Sequence, residues 1–89
     1  MQSITKEEIL EIIKLKISQI LFIDENDIEI NSRFEEDLSA DQILMQDFYE
    51  SLEEHFMIRN LNVSFDDKDR KEVEKIGDLV ELVSFQVNV

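Results

Sequence analysis

A chain of 89 residues with no proline and a single glycine, Gly77, contains almost nothing that forces a turn. Helix is therefore the leading expectation, and the helix ends must be set by capping side chains instead of breakers. Thr5 and Glu8 have capping-box spacing, and Ile9, Leu10, Ile13, Ile17, Ile20 and Leu21 follow at three- and four-residue steps. The spacing predicts a first helix over residues 5–21. Ile12 and Leu15 widen its apolar stripe, as a helix packed on more than one side requires.

From 22 to 37 the periodicity lapses, and Asp24, Asn26, Asp27, Asn31 and Ser32 favour side-chain-to-backbone turns. A long loop is expected there, packed across the bundle by Ile28, Ile30 and Phe34. Ser39 and Gln42 repeat the capping-box spacing, and Ile43, Met45, Phe48, Tyr49, Leu52 and Phe56 continue it as an apolar stripe. The second helix is predicted over 40–56, with Gln42 as an N3 capping residue. Residues 57–62 are a connection, and 66–75 can hold only a short, exposed helix anchored by Val73 and Ile76. Gly77 and Asp78 precede a final helix carrying Leu79, Val80, Leu82 and Val83, its start capped by Asp78 or the turn before it. Val83, Phe85, Val87 and Val89 alternate with polar residues, and Leu61, Val63 and Phe65 do so over a shorter run. A two-stranded ribbon is thus a minority alternative for the tail. The predicted class is all-α: one domain over 1–89, an antiparallel bundle of three main helices and one short one, and a strand-like or irregular tail as a variation.

Composition narrows the function. The chain lacks cysteine, which removes disulfide staples and thiolate metal sites. The formal charge of −13 opposes nucleic acid and anionic lipid and favours basic surfaces. No stretch has the length and apolarity of a membrane span, and residues 1–20 lack the order of a signal peptide, so a cytoplasmic monomer is expected. His55 is the sole histidine, has no recognisable catalytic partner, and is read as a residue near a helix C-terminus. Asp24, Asn26 and Glu35 have calcium-loop spacing, but Ile28 occupies a ligand position and Glu29 replaces the turn glycine, so no metal site is expected. No nucleophile and base pair stands out, and the chain is read as a non-enzyme without catalytic residues.

The stretch "SRFEEDLSADQI" resembles the loop leading into the second helix of the acyl carrier protein family, where the pattern runs Phe, two residues, Asp-Leu-Gly-x-Asp-Ser-Leu. Phe34, Asp37, Leu38, Asp41 and Ile43 fit it. "SLEEHF" and "KIGDLVELV" resemble the end of the second helix and the start of the fourth, while 57–72 is longer than usual. The resemblance covers about 4–83 and implies a four-helix acyl-carrier-like bundle. It also implies an acyl chain carried as a thioester on phosphopantetheine, attached to the serine at the start of helix two. Gln42 stands at that position. A serine oxygen can attack phosphorus to form the phosphodiester; a glutamine amide is a poor nucleophile. No phosphopantetheine is therefore expected.

The remaining function is docking. Residues 34–54 contain no lysine or arginine, and Asp41, Asp47, Glu50 and Glu54 recur at helical steps. The resemblance implies that this helix meets Lys/Arg patches, so the expected partner is the basic surface of an enzyme or regulator of acyl-lipid metabolism, such as fatty acid biosynthesis. Asp41, Ile43, Leu44, Asp47, Glu50 and Glu54 are the expected docking residues, with Leu44 divided between an exposed anchor and a core role. The alternatives are a true carrier modified at an unexpected serine such as Ser39, or a true carrier in which glutamine has been substituted for the serine.

Overall fold

The computed structural model describes residues 4–88. Thr5 accepts a hydrogen bond from the Glu8 N–H at 3.1 Å and starts α1, Lys6–Leu21. α1 buries Ile9, Ile13 and Ile17 completely and packs against both other long helices, α2 (Gln42–Ile58) and α4 (Ile76–Val87). This double burial is what its wide apolar stripe requires. Ile12 is half-buried against the core, whereas Leu15 turns outward. The Asn88 side chain brackets Ile4, accepting from its N–H at 3.3 Å and donating to its carbonyl at 3.0 Å, which fixes α1 antiparallel to α4. The bundle expected from the sequence, three main helices and a short one, is the one observed, and the described residues contain no strand.

The loop from α1 to α2 lies against the bundle. A 3-10 turn at Glu25–Asp27 is capped by Asp24, whose carboxylate accepts from the Asn26 N–H at 2.9 Å. Ile28 and Phe34 are buried, as the loop's apolar spacing requires; Ile30 instead is half exposed. Its contribution comes through the backbone. The Ile30 carbonyl accepts from the Gly77 N–H at 2.8 Å, the Ser32 carbonyl from the Ile76 N–H at 2.9 Å, and the Glu74 carbonyl from the Phe34 N–H at 3.1 Å. The loop is thereby sewn to the start of α4. Gly77 lies inside that helix and does not precede it: a Cβ there would sit 3.2 Å from the Ile30 carbonyl oxygen, so the glycine admits the loop. Asp78 likewise lies inside the helix, as its third residue and not ahead of it, and from there it accepts from the Glu74 and Lys75 N–H groups at 3.1 and 3.2 Å, with Lys75 at the N-cap position.

The short helix α3, Asp67–Glu72, is closed by reciprocal hydrogen bonds between Asp66 and Asp69. Val73 after it is half-buried and Ile76 fully buried. The chain before it has no regular secondary structure and buries Val63 and Phe65, so the ribbon alternative is not seen among the described residues. The Gln86 amide bridges Ser64, accepting from its N–H and donating to its carbonyl, each at 2.9 Å, and Glu53 accepts from the Phe65 N–H at 2.9 Å. The strand-like tail is helical through Val87, with Val89 outside the described residues. Val83 and Val87 are also four residues apart, so one helix face takes both inward and leaves Phe85 in solvent.

Aromatic rings run through the centre: Phe34 to Phe48 and Phe48 to Tyr49 at 5.6 Å between centroids, Tyr49 to Phe65 at 5.0 Å, with the Arg70 guanidinium over the Tyr49 face at 4.9 Å. The Tyr49 hydroxyl is buried without a hydrogen-bond partner among the described residues. Burial pushes its pKa up to about 12, with Asp69 adding to the rise and Arg70 opposing it. Folding therefore holds the phenol proton more tightly than the unfolded chain does, and the associated stability is lost as pH climbs from 10 toward 12. Tyr49→Phe should abolish that alkaline loss. Because an unpartnered hydroxyl is removed, it should also raise stability at neutral pH by about 1 kcal/mol, measured by urea unfolding. Tyr49 is the single tyrosine, so tyrosinate absorbance in the native protein reports this titration directly.

Candidate functional site

The start of α2 is built by the loop before it. The Arg33 guanidinium pairs with Glu36 and with Asp37, the latter at 3.2 Å, and Asp37 also accepts from the Arg33 N–H at 2.9 Å. These hydrogen bonds hold the Asp37 carboxyl below the usual carboxylate range and raise Arg33. The stabilisation is present above the ordinary Asp range and is lost as pH falls through it. The turn closes when the Ala40 N–H donates to the Phe34 carbonyl at 2.8 Å. Between them Ser39 is left-handed, with φ 56°. This is where the acyl carrier pattern has glycine, the residue that takes such a φ without strain.

The predicted capping box is displaced. Asp41, not Ser39, is the N-cap, its carboxylate accepting from the Leu44 N–H at 2.9 Å, and Gln42 is the first helical residue, not the third. Ser39 and Gln42 have the right spacing, but a left-handed Ser39 cannot present its hydroxyl to the helix, and Asp41 two residues later can. The helix runs on to Ile58, two residues past the predicted end.

α2 presents two flanks outside the core. Phe48, Tyr49, Leu52 and Phe56 point into the core, and the face opposite them carries Asp47, Glu50 and Glu54, all exposed. Ile43 joins this outer face and not the core stripe in which the sequence placed it, because it stands two residues, about 200°, from half-buried Met45. Of the other expected docking residues, Asp41 is committed to the cap. Leu44 is half-exposed and sits between the outer face and the side facing α1, so it is not a core residue. The sequence reading missed Met57 and Ile58. Both are exposed on the outer face, and continuing the helical period two residues past Phe56 would have found them. His55 lies in the last turn with its ring edge-on to Phe56 at 5.6 Å; burial, then Lys16 and Arg59, lowers its pKa.

The flank toward α3 opens on a groove of about 810 Å³, its walls including Phe34, Gln42, Met45, Tyr49, Arg70 and Val73. Gln42 is exposed at its rim, and the only functional group it offers is an amide, so the residue does not fit the attachment of a phosphopantetheine arm. Among the described residues no group of three or more His, Cys, Asp or Glu side chains could hold a metal ion, and no helix is long and apolar enough to cross a membrane. Two substitutions test the geometry of the helix start. Asp41→Ala should cost about 1 kcal/mol as the cap is lost. Ser39→Gly should stabilise by up to about 1 kcal/mol as left-handed strain is relieved. Thermal unfolding checks both; if Ser39→Ala proves the costlier change, Ser39 is the cap.

No family model matches the chain. Two relatives do: an acyl carrier protein of Petrotoga mobilis, 27% identical over 85 residues that cover 96% of this chain and 94% of the relative, and an acyl carrier protein of Cyanidium caldarium, 28% identical over 85 residues, 96% and 93%. With near-complete coverage at both ends, an all-helical bundle and the Phe34 to Ile43 motif folded as a turn into α2, the chain is related to the acyl carrier protein family.

Proposed function

We propose that the chain is an acyl-carrier-like docking protein of acyl-lipid metabolism that is not itself phosphopantetheinylated, and that it acts by binding and not by catalysis. The carrier names of both relatives support the metabolic setting. The observation that carries the docking role is the outer face of α2. Asp47, Glu50 and Glu54 stand exposed there, and among the described residues the ion pairs are Lys6–Glu81, Arg33–Glu36 and Arg33–Asp37, so none neutralises this face. Acids left unpaired on one helix face attract a basic partner surface and steer its approach.

The rival reading is a carrier modified at Ser39, which is exposed in the turn ahead of α2. Ser39 precedes the cap, however, so its hydroxyl lies outside the first helical turn whose free N–H groups would face a phosphate. Ser51 is about 13 Å along α2 from position 42 and is half-buried.

Incubation with coenzyme A and a phosphopantetheinyl transferase should leave the intact mass of the wild-type chain unchanged, whereas Gln42→Ser should be modified at least in part. A mass gain on the wild type mapped to Ser39 or Ser51 would replace this reading with that of a relocated carrier. Single changes such as Asp47→Asn should be nearly silent, since an exposed charge contributes at most about 1 kcal/mol. The double reversal Asp47→Lys, Glu54→Lys should lose the basic partner in a pull-down while keeping its helical circular dichroism. Retention of the partner by the double variant, with binding indifferent to salt, would leave α2 as a solvated face only.

A further inference from the structure

The core does not account for every apolar residue of α2. Ile43, Met57 and Ile58 are 75%, 67% and 74% exposed, and all three share the outer face with Asp47, Glu50 and Glu54. At 3.6 residues per turn Ile43 and Glu54 are only about 20° apart around the axis, with Met57 and Ile58 about 50° to either side of that direction. Ile43 and Met57 lie about 21 Å apart along the axis at 1.5 Å per residue. The face is therefore a straight stripe with one apolar residue at its start, acids in the middle and an apolar pair at its end.

The fold has no use for that pair. Phe56 fills the core from the same turn, and the helix end is closed by the backbone, with the Leu61 N–H donating to the Phe56 carbonyl at 2.9 Å and Asn60 left-handed at φ 61°. A lone exposed apolar side chain is ordinary. Three on one face, confined to the two ends of an acidic run, form a pattern with a length and a charge sign.

Resting on the docking reading above, we infer that this face is a two-anchor site, and that its occupant is a basic amphipathic helix of the partner, about four turns long, with Lys/Arg along its middle and an apolar residue near each end. Charge complementarity selects the middle of that helix. Its ends are selected by the area that Ile43 and the Met57–Ile58 pair remove from water when covered. A second copy of this chain is disfavoured because each carries a net charge of −13, and an anionic membrane by the same repulsion. Phe22 and Phe85 are also exposed, but each stands alone on another element, at the end of α1 and on α4.

The test uses two fluorescent synthetic peptides of about five helical turns with identical Lys/Arg content. One carries leucines four turns apart, and the other glutamines in their place. Fluorescence anisotropy against the full chain should give binding roughly ten-fold tighter for the leucine peptide, the difference expected when two apolar anchors are buried. Both affinities should fall with salt at the same slope. Met57→Gln with Ile58→Gln, both exposed and so expected to leave the melting temperature unchanged, should erase the ten-fold advantage and keep the salt slope. Ile43→Gln should erase part of it. Equal affinity of the two peptides for the wild type, an advantage that survives the double substitution, or no binding by either peptide overturns the two-anchor site. In the first two cases a retained salt slope leaves the docking reading standing, while a missing slope or absent binding removes both.

Discussion

The attachment of Phe34 decides where α2 begins and which way it faces. Its ring lies against Phe48 in the core, its N–H reaches the Glu74 carbonyl ahead of α4, and its carbonyl receives the Ala40 N–H that closes the turn before the cap. One residue thus ties its own turn to α2 and to the start of α4, through one ring contact and two backbone bonds. An aromatic anchor buried at 3% exposure is costly to move, because the cavity it would leave is not easily filled. The direction of the acidic face follows: once Phe34 and Phe48 are in contact, rotating α2 to hide Asp47, Glu50 and Glu54 would bring charges into the core and expose its aromatics.

Much of this was legible from periodicity, and the failures have specific causes. α1 is legible almost to the residue because Thr5, with Glu8 three residues on, stands directly before a clean stripe. At α2, two cap-capable side chains, Ser39 and Asp41, lie within three residues, and spacing alone does not choose between them. The choice is made by the left-handed backbone at Ser39, inside the turn that the Ala40–Phe34 hydrogen bond closes. Gly77 misled in a similar way. A lone glycine suggests a break, but here its missing Cβ accommodates a loop carbonyl from a segment 47 positions earlier, a contact with no local signature.

The tail and the outer face show two sides of the same ambiguity. Residues spaced by two also contain pairs spaced by four, so Val83 and Val87 satisfy both a strand and a helix, and the core of α1 and α4 selects the helix. On α2 the helical period separates Asp47, Glu50 and Glu54 from the core, whereas the apolar character of Ile43 suggests the core and its angle places it on the outer face. Asp41 was legible as an acid and not as a cap. Its carboxylate is held by the Leu44 N–H and is less available to a partner than those of the later turns.

The uncompensated face of α2 also sets the solution behaviour of the free domain. A −13 chain with few ion pairs among its described residues repels itself, and mobile counterions relieve that strain over a distance of about 10 Å at moderate ionic strength. Added salt thus tightens the bundle, and under the proposed docking role it would at the same time loosen the hold on a basic partner. Under that proposal a partner's cations would do the work of the missing counterions in dilute buffer, so that binding would also make the fold firmer.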